Sequence, residues 1–485
     1  EDQMQNDSMM KKLQIMICIL GLLGLNSCSD YLNKESSDEV IVKTVSDYSE
    51  LLLGAGYPEP TGSLYNTLYL LDDDYMLNES SLDDEEDYSG AVSAFPFYTW
   101  QANMWERQEV DVSTYDESYS PTYTRLMGVN AVLDGIDEAI GEVEERDQVK
   151  AEALALRGYY YFMLVNLYGE PYNYNKQALG VPLKLTADME TNGTARSTVE
   201  EVYKQIVSDL KAASDLFEKY PKRRGSYRIN LPTTNILLSR VYLHMELWDD
   251  AIAAATKAIE NGGVLTNYVN LESSSTCISS YNYSEVEWVY GNGNTPTRSL
   301  SGMVVSTELR NKFLENPNDT RMNLWFLISG TNWNITKKRL SYPSGTPRTP
   351  TNSIRMSEAY LNRAEAYAQK GESGAAWDDL SHLRENRYKE YSEIAITDAT
   401  VLLEEIREER RLELCFDEVR WFDLRRYGMP SISHLYKVRK SASWQTYTLN
   451  EKDPLYTLPL PSEVMNENPA LQQNESAKEP TRQGR

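Results

Sequence analysis

The chain has 485 residues, more than the ~100 to 200 of one domain, so two or three structural regions around a sizeable core are expected. Its 48 basic and 73 acidic side chains leave a net charge of −25, which repels nucleic-acid phosphates and excludes a nucleic-acid binder. The three histidines (His244, His382 and His434) show no His-x-x-x-His spacing and the cysteines no Cys-x-x-Cys. A zinc site or a histidine-based hydrolase therefore has little to be built from, and no motif asks for a cofactor.

Near the N-terminus, Lys11 and Lys12 precede an apolar stretch from Leu13 to Leu25 that is too short for a bilayer span and right for a secretory signal. Leu25-Asn26-Ser27-Cys28 resembles a bacterial lipobox, with Asn departing from the commonest second residue. Residues 1–27 are thus expected to be removed and Cys28 to be acylated as the lipidation site. Residues 28–48 read as a polar, acidic tether holding a soluble body off a membrane. Cys18 leaves with the signal, and Cys277 and Cys415 are expected to be free.

Residues 49–260 read as an N-terminal helical region. Ala151 to Glu170 carries two apolar stripes at helical spacing, the mark of a helix buried on both faces. Ser197-Thr198-Val199-Glu200 reads as a capping box opening a helix in which Val199, Val202, Ile206, Leu210, Ala213 and Phe217 share a face. Ser239, Tyr242, Ala251, Ala255 and Ala258 follow the tetratricopeptide pattern of small residues where two helices touch. Ala364, Tyr367, Ala376, Leu380 and Leu383 repeat it, with Gly371 at the turn, far beyond the ~34 residues that separate tandem repeats.

Between these hairpins, residues 261–352 are rich in Asn, Ser, Thr, Gly and Pro around Tyr281, Tyr283, Trp288, Tyr290, Trp325 and Trp333. The composition predicts an irregular insertion of loops and short strands projecting from a helical scaffold, where ligand sites tend to lie. Ser89 to Arg107 is similar, with Pro96 expected to block a regular helix. Tyr (34) and Trp (9) far outnumber Phe (8), which suits surfaces that are part wet and part apolar. A sugar ring stacks its C–H face on an aromatic ring and needs amides for its hydroxyls. Tyr98, Trp100, Asn103, Trp105, Tyr283, Trp288 and Trp333 are therefore the candidate ligand contacts.

The charged clusters read as structural. Asp72-Asp73-Asp74 and Asp83 to Asp87 lack the glycine and spacing of a calcium loop and are expected to be solvated acidic loops. Arg410 interrupts the apolar stripe Leu403, Ile406 and Leu414, so its charge is expected to be paired with Glu413, Glu358 or Glu365. Glu408, Glu409 and Asp423 are expected to be salt-bridge partners and not a glycosidase carboxylate pair, and no catalytic residue is nominated.

Four stretches, Ala151 to Gly169, Arg355 to Gly371, Ile406 to Gly428 and Leu458 to Asn474, together with the lipobox, resemble the SusD/RagB family of surface lipoproteins in order and spacing. The likeness covers nearly all of the chain. It departs after Asn474, where Glu-Ser-Ala replaces the family's Pro-Gly-aromatic end, so the final residues are expected to be disordered. The resemblance implies a mainly α fold of tetratricopeptide-like helical hairpins with a large irregular ligand-binding insertion, residues 353–485 forming the C-terminal region. It also implies a non-enzymatic protein lipid-anchored at the outer-membrane surface, which captures oligosaccharides for a SusC-like TonB-dependent transporter, with the acidic Asp73 facing the ligand. A peptide-binding member of the family is the nearest alternative, and a glycoside hydrolase a more distant one.

Overall fold

The structure, a computed structural model, describes residues 42–59, 64–65, 67–106, 118–188, 192–221, 227–271, 283–291, 302–330, 332–335, 337 and 352–485. The signal, Cys28 and Cys277 lie outside the described residues. Helices dominate: α1 (Val45–Leu51), α2 (Ser89–Tyr98), α3 (Tyr119–Gly135), α4 (Val143–Tyr168), α5 (Val199–Lys219), α6 (Leu231–Met245), α7 (Trp248–Asn261), α8 (Met356–Gln369), α9 (Ser373–Glu385), α10 (Ala399–Leu414) and α11 (Arg420–Arg426). Among the described residues, no helix is long and apolar enough to cross a membrane.

Helix α4 is the centre of the core, with every residue from Ala151 to Tyr168 buried, as two apolar stripes require. Helix α5 lies against it, its face from Val199 to Phe217 buried. The approach is close enough to need glycine: a Cβ at Gly158 would sit 2.8 Å from Leu210 Cγ. The cap of α5 falls one residue later than the sequence pattern suggests. Thr198 is the N-cap, its hydroxyl accepting from the Glu201 amide at 3.2 Å while Glu201 Oε2 accepts from the Thr198 amide at 2.8 Å. Thr198 and Glu201 have the same spacing as Ser197 and Glu200, so the pattern alone leaves the register open.

The two tetratricopeptide-like hairpins, α6 with α7 and α8 with α9, form as the small-residue spacing predicts, with Gly371 at φ +77° in the second turn. Helix α7 packs directly on α8, so the hairpins stack despite the long insertion between them. That insertion is sewn into the scaffold. Strand β2 (Val286–Tyr290) pairs antiparallel with β6 (Asn352–Arg355), and β3 (Met303–Val305) pairs with β1 (Tyr75–Leu77). Hairpins β4–β5 (Phe326–Ser329, Asn332–Ile335) and β7–β8 (Ile432–Tyr436, Gln445–Leu449) complete the described strands. Among the described residues of the insertion, Trp288, Trp325 and Trp333 are core.

What tolerates polar residues in that core is an ion network. Glu413 of α10 accepts from Arg321 at 2.9 Å, Arg355 at 2.6 Å and Arg387 at 2.9 Å, all buried. Burial raises the Glu413 pKa, but Arg387 and Arg355 outweigh it and hold the carboxyl well below the ordinary range. Glu285 bridges Arg387 at 2.9 Å and Arg355 at 3.4 Å, and buried Lys337 donates to Asp417 and to the Glu413 and Cys415 carbonyls. Cys415 is a free, buried thiol whose pKa burial pushes up. Arg410 is buried and paired, but its close partners are Asp423 at 2.8 Å and the Asn362 side-chain oxygen at 2.6 Å. Of its expected partners, Glu358 stands off at 3.8 Å, while Glu413 serves the network above and Glu365 serves Arg426.

Two further expectations are corrected. Pro96 lies inside α2, in its last turn, where it removes one helix amide donor, and the helix stops two residues on. The final residues are ordered: Arg482 donates to both Asp453 oxygens at 3.0 and 2.9 Å and to the Thr448 carbonyl at 2.5 Å, and Arg485 pairs its backbone with Thr446 of β8.

Candidate binding site

Helix α2 ends in a reversal at Trp100, whose φ of +48° is unusual for a bulky residue. The turn drives Trp100 inward. Its indole nitrogen donates to the Leu71 carbonyl at 3.0 Å, and its ring stacks on His434 at 4.3 Å. Tyr98 stacks on the imidazole ring at 4.0 Å. Both rings are therefore buried, and neither offers a face to a ligand. Burial draws the His434 pKa down to about 4, although the Tyr98 and Asp72 carbonyls that contact its two nitrogens favour the charged ring.

Beyond Trp100 the loop turns outward again. Gln101 is clamped to the tail, its amide donating to the Arg482 carbonyl at 3.1 Å and its oxygen accepting the Arg482 backbone amide at 2.9 Å. Trp105 is fixed at one end by its indole nitrogen, which donates to the Pro459 carbonyl at 2.8 Å, and at its edge by Phe97, 5.3 Å away. It remains half-buried and lines a cavity of about 250 Å³ with Asn103, Glu106, Ser462, Gln473 and Thr481. An apolar ring within a rim of amide, hydroxyl and carboxylate groups suits a ring-shaped polar ligand. Asn103 and Trp105 are thus brought together at one cavity. The C-terminal wall of Ser462, Gln473 and Thr481 is a contribution that sequence reasoning missed, although it begins inside the recognisable Leu458 to Asn474 stretch.

The other candidates do not line this cavity. Trp288 is fully buried, stacked on Tyr290 at 4.4 Å, and Trp333 is 3% exposed and packs on Phe326 at 5.2 Å. Their polar sequence neighbours suggest exposure, but Glu285 and Glu287 beside Trp288 are themselves buried, Glu285 in the ion network and Glu287 accepting from the Gly263 amide. Tyr283, three residues before β2, is half-buried against the core. Asp73 is taken up by arginines: Arg420 donates to both of its oxygens at 2.7 and 2.8 Å, and Arg411 lies 3.1 Å away. Burial would raise its pKa, but Arg420 and Arg411 lower it below the ordinary carboxylate range.

The Asp72–Asp74 triplet is therefore no solvated loop. Asp72 and Asp74 are buried, and Arg411 and Arg420 supply the positive charge that this trio needs, whereas Asp83 to Asp87 are exposed as expected. The glycosidase-like carboxylates are likewise ion-paired: Glu408 with Lys312 at 3.2 Å, Glu409 with Arg384 at 2.8 Å and Asp423 with Arg410 and Arg426, both at 2.8 Å.

Comparison with known proteins follows the same outline. Residues 30–243 match a family profile described as starch-binding associating with outer membrane, and residues 336–476 match the SusD family profile. A SusD superfamily protein from Bacteroides thetaiotaomicron superposes with a TM-score of 0.70 at 25% identity, over 89% of this chain and 99% of that one. A SusD-like carbohydrate binding protein from Bacteroides vulgatus gives 0.65 at 20% identity, over 88% and 97%. A laminarin binding SusD-like protein gives 0.63 at 19% identity, over 89% and 99%. No protein of curated function matches the chain. With two profiles of one family matched in order and the helical fold shared along nearly its whole length, the chain belongs to the SusD/RagB family.

Proposed function

We propose that this protein binds neutral glycans at the cell surface, holding one sugar ring against Trp105 and Asn103, and hands oligosaccharides to a SusC-like TonB-dependent transporter. The observation that carries the reading is the half-buried Trp105 ring, pinned at Pro459 and Phe97 and set in a polar-rimmed cavity, in a chain whose N-terminal half matches a starch-binding family profile. A pinned ring loses little freedom when a sugar stacks on it, which favours binding without rearrangement. Anchoring at Cys28 follows from the lipobox and would keep the cavity outside the cell.

Calorimetry of Trp105→Ala and Asn103→Ala against a panel of neutral oligosaccharides, at low and high salt, tests the site. Trp105→Ala is expected to weaken binding by about 1 to 3 kcal/mol, with little dependence on salt because the ligand is uncharged. A wild-type protein that binds none of the sugars, or binds only charged peptides with steep salt dependence, ends the glycan reading. For the anchor, Cys28→Ala is expected to move the protein from the membrane fraction to the soluble one. A wild-type protein that takes up no lipid label refutes acylation.

A further inference from the structure

A second, larger cavity of about 460 Å³ shares Gln473 with the first. One wall is the short helix Tyr172–Asn175, which presents Tyr174 with 56% of its surface exposed. The opposite residues are Gln472 and Ser476 of the C-terminal segment. Among the described residues, the side-chain amides of Asn175 and Gln472 and the Tyr174 hydroxyl make no hydrogen bond. The Ser476 hydroxyl is buried beneath the wall and closed to the cavity.

The walls are held rigidly. Arg196 donates to the Gly180 carbonyl at 2.7 Å, to Tyr168 at 2.8 Å and Leu179 at 2.9 Å on one side, and to the Gln472 carbonyl and the Asn474 side-chain oxygen, both at 2.8 Å, on the other. Gln473, between the two cavities, spends its side chain on the Leu460 backbone, accepting and donating at 2.8 Å. The cavity thus stands preformed, lined by the exposed Tyr174 ring and by the Asn175 and Gln472 side chains. The chain's net charge of −25 disfavours an anionic occupant.

We propose that this cavity is a second saccharide-binding site, in which the Tyr174 ring stacks on the apolar face of a neutral sugar. Asn175 and Gln472 hydrogen-bond the sugar's hydroxyls. The assignment rests on the glycan reading above but not on Trp105. Wild type, Trp105→Ala, Tyr174→Ala, Tyr174→Phe and the Trp105→Ala/Tyr174→Ala double variant would be titrated with neutral oligosaccharides including maltohexaose and laminarihexaose. Trp105→Ala should keep a residual binding event that adding Tyr174→Ala weakens at least about tenfold, while Tyr174→Phe, which keeps the ring, retains it. Unchanged melting of the Tyr174 variants is expected, since the ring is exposed. The second site is overturned if wild type binds sugar but Trp105→Ala alone abolishes all binding, or if Tyr174→Ala changes nothing in either background. If wild type binds no sugar, the glycan reading falls and takes this site with it.

Discussion

Trp105 and Trp288 sit in sequence surroundings that read alike, aromatic rings beside Asn, Gln, Glu and Gly, and the structure treats them oppositely. Around Trp105 the polar neighbours reach a cavity; around Trp288 they turn into the interior, Glu287 to the Gly263 amide and Glu285 to arginines. Glu285, three residues from Trp288, is buried and bridges Arg355 and Arg387, which in turn share Glu413. A polar residue beside an aromatic thus marks a wet surface only when no buried counter-charge waits for it. In this chain the counter-charges come from far along the chain, Arg355 at the end of β6 and Arg387 just after α9.

The largest way to break that contrast is to remove the counter-charge. Glu413→Ala would leave Arg321, Arg355 and Arg387 short of a shared carboxylate in a dry interior, and a loss of about 5 kcal/mol is expected, seen as a collapse of the denaturant midpoint. A near-normal midpoint would mean that water reaches these arginines, and the distinction between the two tryptophan regions would lose its basis. Next in size is Trp288→Ala. Because the ring is fully buried between Tyr290 and Tyr159, the expected cost is about 3 to 5 kcal/mol of stability, with sugar affinity unchanged in the folded fraction. Lost affinity with normal stability would return Trp288 to the binding face.

Much of the scaffold was legible before any coordinates. The alanines of α7 and α8 mark helix contacts because only small side chains let backbones approach. The stripe from Val199 to Phe217 marks a buried face because burial repeats at the helical period. The site was legible only in part. Trp100 and Trp105 lie five residues apart in one loop, and which of them points inward is decided by the positive φ at Trp100 and by His434, 334 positions away. Three consecutive aspartates looked solvated because Arg411, which pairs with Asp74 from 337 positions away, has no local signature. The part of the cavity walls beyond Asn474 falls outside the recognisable stretch, and the contact that orders it, Arg482 with Asp453, belongs to no recognised pattern.

The smallest effect probes why Trp100 turns inward. His434 lies between Tyr98 and Trp100, and burial draws its pKa from the ordinary 6.5 down to about 4. Between those values the unfolded chain binds a proton that the folded chain refuses, so this residue's contribution is intact above 6.5 and is lost as pH falls toward 4. His434→Phe keeps a ring between Tyr98 and Trp100 and removes the titration. Acidification from about pH 7 to about pH 5 is therefore expected to destabilise wild type by about 2 kcal/mol more than the variant. Asp72 works in the opposite sense, since burial and the Asp74 and Asp73 charges raise its pKa and protonation relieves it, but it is present in both proteins and largely cancels in the difference. Thermal melts of the pair across that range give the answer. Parallel pH profiles would mean that the imidazole meets water, which would require the stacked rings around it to open and would place Trp100 back beside Trp105 on the ligand side of the loop.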